Sequence, residues 1–327
     1  MSTNVDTWVL SRRPPRERLD PYLPYGYFVE QECAAGGEIL PVATVFVTNR
    51  ECPFRCVMCD LWRNTLTETV PVGAIPRQID HALEQLPAAR HLKLYNSGSF
   101  FDARAIPPED HGAIADRANR FERLIVENHP ALVSETNLHF RDRLRGQLEV
   151  AMGLETAHPE VLARLNKRMT LEQFSRAAHF LSRNGIDVRV FILVQPPYMP
   201  APEALTWARH SLDFAMECGA AAAVLIPTRA GNGAMEELAA RGDFTPPPLS
   251  VLEAAMEYGL TLKAGRVFAD LWELQGSSAV LSHPAQKTLR HQGCESCRAP
   301  RVARLQHMNL TQIVLERIRC DRCGGAS

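Results

Sequence analysis

The 327-residue chain has no uninterrupted apolar run approaching the roughly 20 residues that a membrane-spanning helix needs, so no helical span is expected. Net charge is also scarce. Lys and Arg number 36 against 37 Asp and Glu, a formal charge of -1, which implies no global attraction to nucleic acid or lipid and leaves only local attraction. The first 20 residues carry Arg12-Arg13-Pro14-Pro15-Arg16-Glu17-Arg18 and lack an apolar core of about seven residues, so no secretory leader is expected. The nine cysteines are therefore expected in a reducing cytoplasm, where metal binding prevails over disulfide formation. Cys33 and Cys218 stand alone and read as small hydrophobes. A 46% hydrophobic content at this length suffices for one large barrel-like domain plus an appendage.

What is present is a concentration of thiols. Cys52, Cys56 and Cys59 fall within eight residues, with three and then two residues between them. Three thiolates leave one iron of a four-iron cluster without a protein ligand, and that open position can bind and transform a substrate or cosubstrate. The β-branched run over residues 41–48 places the cysteines just beyond a strand, at the end where barrel enzymes keep their chemistry. A structural zinc knuckle or neighbouring buried thiols would be the plain alternatives, and this spacing behind a strand argues against both. Here the sequence resembles the radical S-adenosylmethionine (SAM) superfamily. The resemblance implies a [4Fe-4S] cluster on Cys52, Cys56 and Cys59, SAM on the open iron, and cleavage of SAM to a 5'-deoxyadenosyl radical.

Strand and helix then alternate. Strands are expected at 91–95, 131–135, 147–154, 187–194, 221–226 and 266–271, with helices at 76–86, around 114–125, from 171, at 202–218 and around 249–258. Thr170 and Gln173 form a capping box, and Gly185 is placed to end that helix. Residues 1–40 read as an irregular or short-helical lead-in. About six alternations, with polar motifs after several different strands, predict an α/β fold: a partial (β/α)6 TIM-like barrel over residues 41–275.

The motifs after the strands define a candidate mouth. Asn96-Ser97-Gly98-Ser99 is a small polar turn that a ligand can approach closely. In the superfamily this turn contacts the SAM amino group, so the resemblance assigns Ser97, Gly98 and Ser99 to SAM. Glu155, ending Gly153-Leu154-Glu155-Thr156, matches a family glutamate and could accept hydrogen bonds from ribose hydroxyls or an ammonium group. Asn137, at the end of the expected 131–135 strand, joins the set with Arg189 and Thr228; Asn96, Asp102, Arg189 and Thr228 are candidates to shape the substrate side. One departure is Met58, where the superfamily usually has an aromatic residue near the adenine; a thioether can fill that role by adaptable packing.

Residues 276–327 read as a separate metal-binding unit. Cys294-Glu295-Ser296-Cys297 and Cys320-Asp321-Arg322-Cys323 are Cys-x2-Cys pairs suited to tetrahedral thiolate coordination of Zn2+, and equally able to hold a second Fe-S cluster. Zinc is favoured narrowly, with residues 308–315 as a ribbon strand. Between Cys294 and Cys323 the arginines outnumber the acids by three, which suits RNA phosphates, although a solvated face is nearly as good a reading and the lack of aromatics argues against base stacking.

Within the superfamily, Cys56-Val57-Met58-Cys59-Asp60-Leu61-Trp62, Leu94-Tyr95-Asn96-Ser97-Gly98-Ser99-Phe100, Gly153-Leu154-Glu155-Thr156 with Leu165-Asn166-Lys167, and Ala269-Asp270-Leu271-Trp272 resemble the branch of the elongator catalytic subunit and the tRNA methylthiotransferases, most of all the radical SAM subunit of archaeosine synthase. That implies a tRNA partner, cleavage of a carbon-nitrogen bond in a modified nucleoside, an electron donor such as flavodoxin or ferredoxin, and a partner subunit. The alternatives are a radical SAM enzyme for a small molecule or peptide with an auxiliary Fe-S cluster, and a zinc-containing nucleic-acid-binding protein without catalysis.

Overall fold

The structure is a computed structural model that describes residues 2–275, 280–281 and 294–322. Its strands are β1 (Gly26–Cys33), β2 (Ile39–Phe46), β3 (His91–Tyr95), β4 (Arg123–Glu127), β5 (Gln147–Glu155), β6 (Asp187–Val194), β7 (Ala222–Pro227), β8 (Arg266–Ala269) and β9 (Val280–Leu281). The α-helices are α1 (Ser2–Arg12), α2 (Ala74–Gln85), α3 (His111–Ala118), α4 (Glu135–Arg141), α5 (Pro159–Arg164), α6 (Leu171–Arg183), α7 (Ala204–Glu217), α8 (Ala234–Ala240), α9 (Leu249–Leu262), α10 (Trp272–Gln275) and α11 (Glu295–Thr311). All strands join one sheet in the order β8-β7-β6-β5-β4-β3-β2-β1-β9. β2 to β8 run parallel, as helical crossovers require, and β1 pairs antiparallel with β2. The α/β partial barrel expected from the sequence is what forms.

The sheet curls. Cys33 of β1 packs against Ala222 of β7 and Phe268 of β8, although these strands are far apart in the sheet order. Helices cover the outer face, α6 for example burying Phe174, Ala177, Ala178 and Leu181 along one stripe. Thr170 and Gln173 form the expected capping box, and Gly185 follows the helix at φ +71°. Among the described residues, no helix is long and apolar enough to cross a membrane.

Three expectations are corrected. The strand expected at 131–135 is instead β4, Arg123–Glu127, and the helix expected to reach residue 125 stops at Ala118. Leu124 and Ile125 had matched a helical stripe, but together with Val126 they form a short run with a β-branched pair that packs as a buried strand. The lead-in, expected to be irregular or short-helical, does supply a helix, α1, but also all of β1, a strand that was not expected. The ribbon strand expected at 308–315 is the end of α11 and the segment after it, with no strand there.

The amino-terminal end of the barrel interior is charged. Glu149 accepts hydrogen bonds from Arg189, Arg266 and Arg123, and Glu32 accepts from Arg189 and Lys93. Arg189 is thereby corrected from a mouth residue to a structural one. It is the third residue of β6, in register with Ala151, four residues before Glu155 on β5. Its guanidinium is engaged at the opposite end from the strand-end loops.

Candidate metal centre

The loop that carries Cys52, Cys56 and Cys59 is fixed from several sides. Gln78 on α2 accepts from the Thr48 amide at 2.7 Å and donates to its carbonyl at 2.8 Å, pinning the exit from β2. The carboxylate of Glu51 takes Arg13 at 2.7 Å, Arg55 at 3.1 Å and Arg16, so the lead-in is tied to the residue before the first cysteine. Asn232 Nδ2 donates to the carbonyls of Val57 at 2.8 Å and Cys59 at 3.0 Å, and Asn166 Nδ2 donates to Arg55 O at 2.8 Å and to Asp6 Oδ1 at 2.7 Å. Val57 N donates to Leu165 O at 3.0 Å. Phe54 stacks on His129 with ring centroids 3.8 Å apart. Residues spread over the chain thus hold the backbone between the cysteines, and ligand orientation is set by the fold.

Burial pushes the thiols of Cys52 up to about 11 and of Cys56 and Cys59 up to about 12, with neighbouring cysteines adding to the rise. Unmetallated, they are neutral at physiological pH, and binding a cationic centre must release their protons. Lys167 opposes the rise at Cys52 and Cys56, so a positive side chain lies on the thiolate side of the site.

The turn after β3 presses on this loop. A Cβ at Gly98 would stand 3.3 Å from Cys52 Cβ, so only glycine lets the two segments meet without displacement. Ser97 is left-handed at φ +53°, and the amides of Asn96 and Ser97 converge on Glu127 Oε2 at 2.8 and 3.0 Å. Ser97 Oγ pairs with Tyr25 Oη at 2.8 Å, and Ser99 Oγ accepts from His129 N at 3.0 Å. Burial raises Glu127 to about 7 against the pull of those amides. Asn96 at the end of β3 and Asn128 at the end of β4 are buried, with neither side-chain oxygen nor nitrogen hydrogen-bonded. Two buried amides with spare donors and acceptors fit a site that takes a polar ligand.

Glu155 terminates β5 at a bulge, left-handed at φ +67°, and its Oε1 accepts from Lys167 Nζ at 2.6 Å. Gly153 leaves room beneath that pair, because a Cβ there would stand 2.6 Å from Lys167 Nζ and overlap the Glu155 carboxylate, so the pair would have to shift. His129 Nε2 meets the Lys167 carbonyl at 3.1 Å while its Nδ1 accepts from Ala131 N at 3.1 Å, which assigns the proton to Nε2. Burial, aided by the Lys167 charge, lowers this imidazole to about 3, so it is neutral.

Other anticipated residues are placed differently. Thr228 lies just past β7, with its hydroxyl donating to Val194 O at 2.8 Å. Met58 is half-buried and packs against the Val9, Val57 and Met235 cluster and against the Val161, Leu165 and Met199 cluster. Asp102 follows the Ser99 turn and accepts from Arg104 N at 3.0 Å. Asn137 is corrected: it is the third residue of α4, not a strand end, and its Oδ1 accepts from Ser134 N at 2.8 Å as half of a capping box. Glu127, Asn128, Lys167 and Asn232 were not anticipated as site residues. Lys167 lay inside a stretch already conspicuous in the sequence, whereas Glu127 and Asn128 were hidden by the misplaced β4.

A second thiol group lies near the chain's end. Cys294, Cys297 and Cys320 bring their sulfurs within 4.8 Å of one another, and Cys294 Sγ is 3.8 Å from Cys320 Sγ. Cys323 lies outside the described residues. The arginine surplus of this segment is largely engaged. Arg301 pairs with Glu253, and Arg304 and Arg317 pair with Glu257, both acids on α9 and outside the stretch over which the charge had been counted.

No family model matches the chain. It is 26% identical over 208 residues to archaeosine synthase subunit beta of Methanosarcina acetivorans, 61% of this chain and 60% of that one. It is also 26% identical over 215 residues to an uncharacterised protein of Methanocaldococcus jannaschii, 62% of this chain and 59% of that one. The match therefore spans about three fifths of these relatives' length. Among solved structures, the Elp3 protein of Methanocaldococcus infernus superposes with a TM-score of 0.53 at 16% identity, covering 86% of this chain and 65% of that one. SuiB of Streptococcus suis, solved bound to precursor peptide SuiA, gives 0.50 at 12% identity, covering 67% and 46%. The chain shares its fold with the Elp3 protein and resembles, in sequence, proteins named as the beta subunit of archaeosine synthase.

Proposed function

We propose that this chain is a radical SAM enzyme that modifies a nucleoside of tRNA, by carbon-nitrogen bond cleavage of the kind implied by its resemblance to archaeosine synthase, and that it works with a partner subunit. The observation that carries the catalytic part is the clamped loop of Cys52, Cys56 and Cys59, met by the Gly98 turn at the carboxyl end of the parallel strands. Three thiolates suit a [4Fe-4S] cluster with one open iron. When bound and reduced by a donor such as flavodoxin or ferredoxin, the cluster supplies the electron that splits the sulfonium of SAM.

The protein's own residues have distinct tasks. Asn232, Asn166 and Glu51 fix the ligand loop. Gly98 gives room for close approach, while Asn96 and Asn128 offer unspent amides to the methionyl or ribosyl part of SAM. Glu155, held by Lys167, presents a carboxylate with one oxygen committed and further acceptor capacity toward a hydroxyl or ammonium group. Ser97, Ser99, Met58 and Thr228 are assigned to the walls of the same site, where they set shape more than charge.

The relatives named as archaeosine synthase support the tRNA reading and the partner subunit. One observation favours a small molecule or peptide substrate instead: the carboxyl-terminal arginines that would contact RNA phosphates are largely paired with Glu253 and Glu257. Anaerobic reconstitution with iron, sulfide, dithionite and SAM is expected to yield 5'-deoxyadenosine, and Cys59→Ala is expected to abolish it. Turnover retained by that variant would sink the ligand assignment. Comparison of tRNA nucleosides from cells with and without the gene separates the substrates, since an unchanged nucleoside profile would leave the small-molecule or peptide reading.

A further inference from the structure

We infer that Cys294, Cys297 and Cys320 build a site for a single four-coordinate ion of the zinc type, and not for a second iron-sulfur cluster. It stands independently of the reaction at the barrel mouth. A tetrahedral zinc thiolate has Zn–S bonds of about 2.3 Å, so its sulfurs are about 3.8 Å apart along each tetrahedron edge. The Cys294 and Cys320 sulfurs are 3.8 Å apart, and all three lie within 4.8 Å of one another. In a cubane each thiolate binds a different iron and points outward from its own corner, which spreads the sulfurs farther than ligands sharing one ion. The other trio provides the contrast, because Cys52, Cys56 and Cys59 do not meet within 4.8 Å. A disulfide is excluded in this geometry, since a bonded pair would stand about 2.05 Å apart.

The fold explains how the sulfurs meet. Cys294 precedes α11, and its carbonyl accepts from the amides of Cys297 at 3.2 Å and Arg298 at 3.1 Å, which turns the two thiols of the pair toward one side. After α11 the chain must return the full helix length, about 25 Å for 17 residues. Residues 312–320 can cover that distance only when nearly extended, at about 3.3 Å per residue. Arg304 holds the returning segment in that form by donating to the carbonyls of Glu316, at 2.8 Å, and Leu315. Arg301, paired with Glu253, also lies against the Cys297 thiol and offsets part of the negative charge that three thiolates leave around a dication. An ion held by these thiols ties the returning segment to the start of α11.

The test uses the full chain with Cys52, Cys56 and Cys59 all replaced by alanine, purified anaerobically, so that only the second site can hold metal. About one zinc per chain without acid-labile sulfide is expected, falling to background when Cys294→Ser and Cys297→Ser are added. Zinc-edge absorption on the unmodified chain is expected to show sulfur at about 2.3 Å and no metal–metal shell, which keeps the test valid should the triple variant not fold. About four irons with sulfide in the triple variant, or a metal–metal shell at the second site, would overturn the inference. So would a metal-free chain lighter by the two hydrogens of a disulfide. Stoichiometric iron without sulfide would overturn the choice of zinc.

Discussion

Glu127 is buried at the end of β4 with the amides of Asn96, Ser97 and Gly98 turned toward its carboxylate, yet burial outweighs them and lifts it to about 7 from the usual 4.5. The native state therefore holds this proton more tightly than the unfolded chain. Its stabilising contribution is complete below about pH 4.5 and is lost as pH rises through 7, on the order of 3 kcal/mol in all. Glu127→Gln keeps an acceptor for the amides but removes the titration. Urea midpoints at pH 5 and 8 are expected to differ by less for the variant than for the parent, and equal differences would refute the assignment. Gly153 makes a steric prediction at the same scale. Gly153→Ala must shift the ends of the buried Glu155–Lys167 pair, and a lowered denaturation midpoint is expected. Individual residues were legible where they followed a strand that was itself legible: Gly98 and Glu155 lie at the turns their strands predicted, while Asn137 was misassigned together with its strand and proved to be a helix cap.

At the scale of elements, strands 91–95, 147–154 and 187–194 could be read almost to the residue, because each is a short, mostly apolar run bounded by polar, turn-forming stretches. What could not be read is the charged layer inside the barrel. Glu32, Lys93, Arg123, Glu149, Arg189 and Arg266 come from six strands, and only the curl of the sheet brings them together. Position along the strand was the available signal for Arg189, since a third residue lies toward the amino end, away from the mouth. Burial alone would raise Glu149, but Arg189, Arg266 and Arg123 outweigh it and hold the carboxyl at about 2. Its contribution is therefore present above about pH 4.5 and is lost as pH falls through 2. Glu149→Gln leaves three guanidinium groups short of a counter-charge and is expected to cost about 3–5 kcal/mol near neutral pH. The same variant should lose part of the parent's steep decline between pH 4.5 and 2, a difference that circular dichroism during acid titration would register.

For the whole molecule, the problem is the open sheet. A half-barrel ends in strands whose backbone groups lack partners, and β8 is such an edge. α11 packs against both β1 and β8, across the seam where the curled sheet faces itself. Two side-chain amides, one on α11 and one just past its end, act as a substitute strand. Asn309 accepts from Ala269 N at 2.8 Å and donates to Ala269 O at 2.9 Å, and Gln312 does the same for Val267 at 2.7 and 3.0 Å. The alternate residues Val267 and Ala269 of β8 are thus paired by side chains much as a further strand beyond β8 would pair them. Asn309→Ala or Gln312→Ala would each leave one donor and one acceptor of β8 unpaired, at about 1–3 kcal/mol per unsatisfied group. The double variant is expected to melt earlier and also to aggregate, because the exposed edge can recruit another chain. Hydrogen exchange at the Val267 and Ala269 amides is the direct measurement. Protection unchanged in the double variant would show that the edge is covered by something other than these two amides.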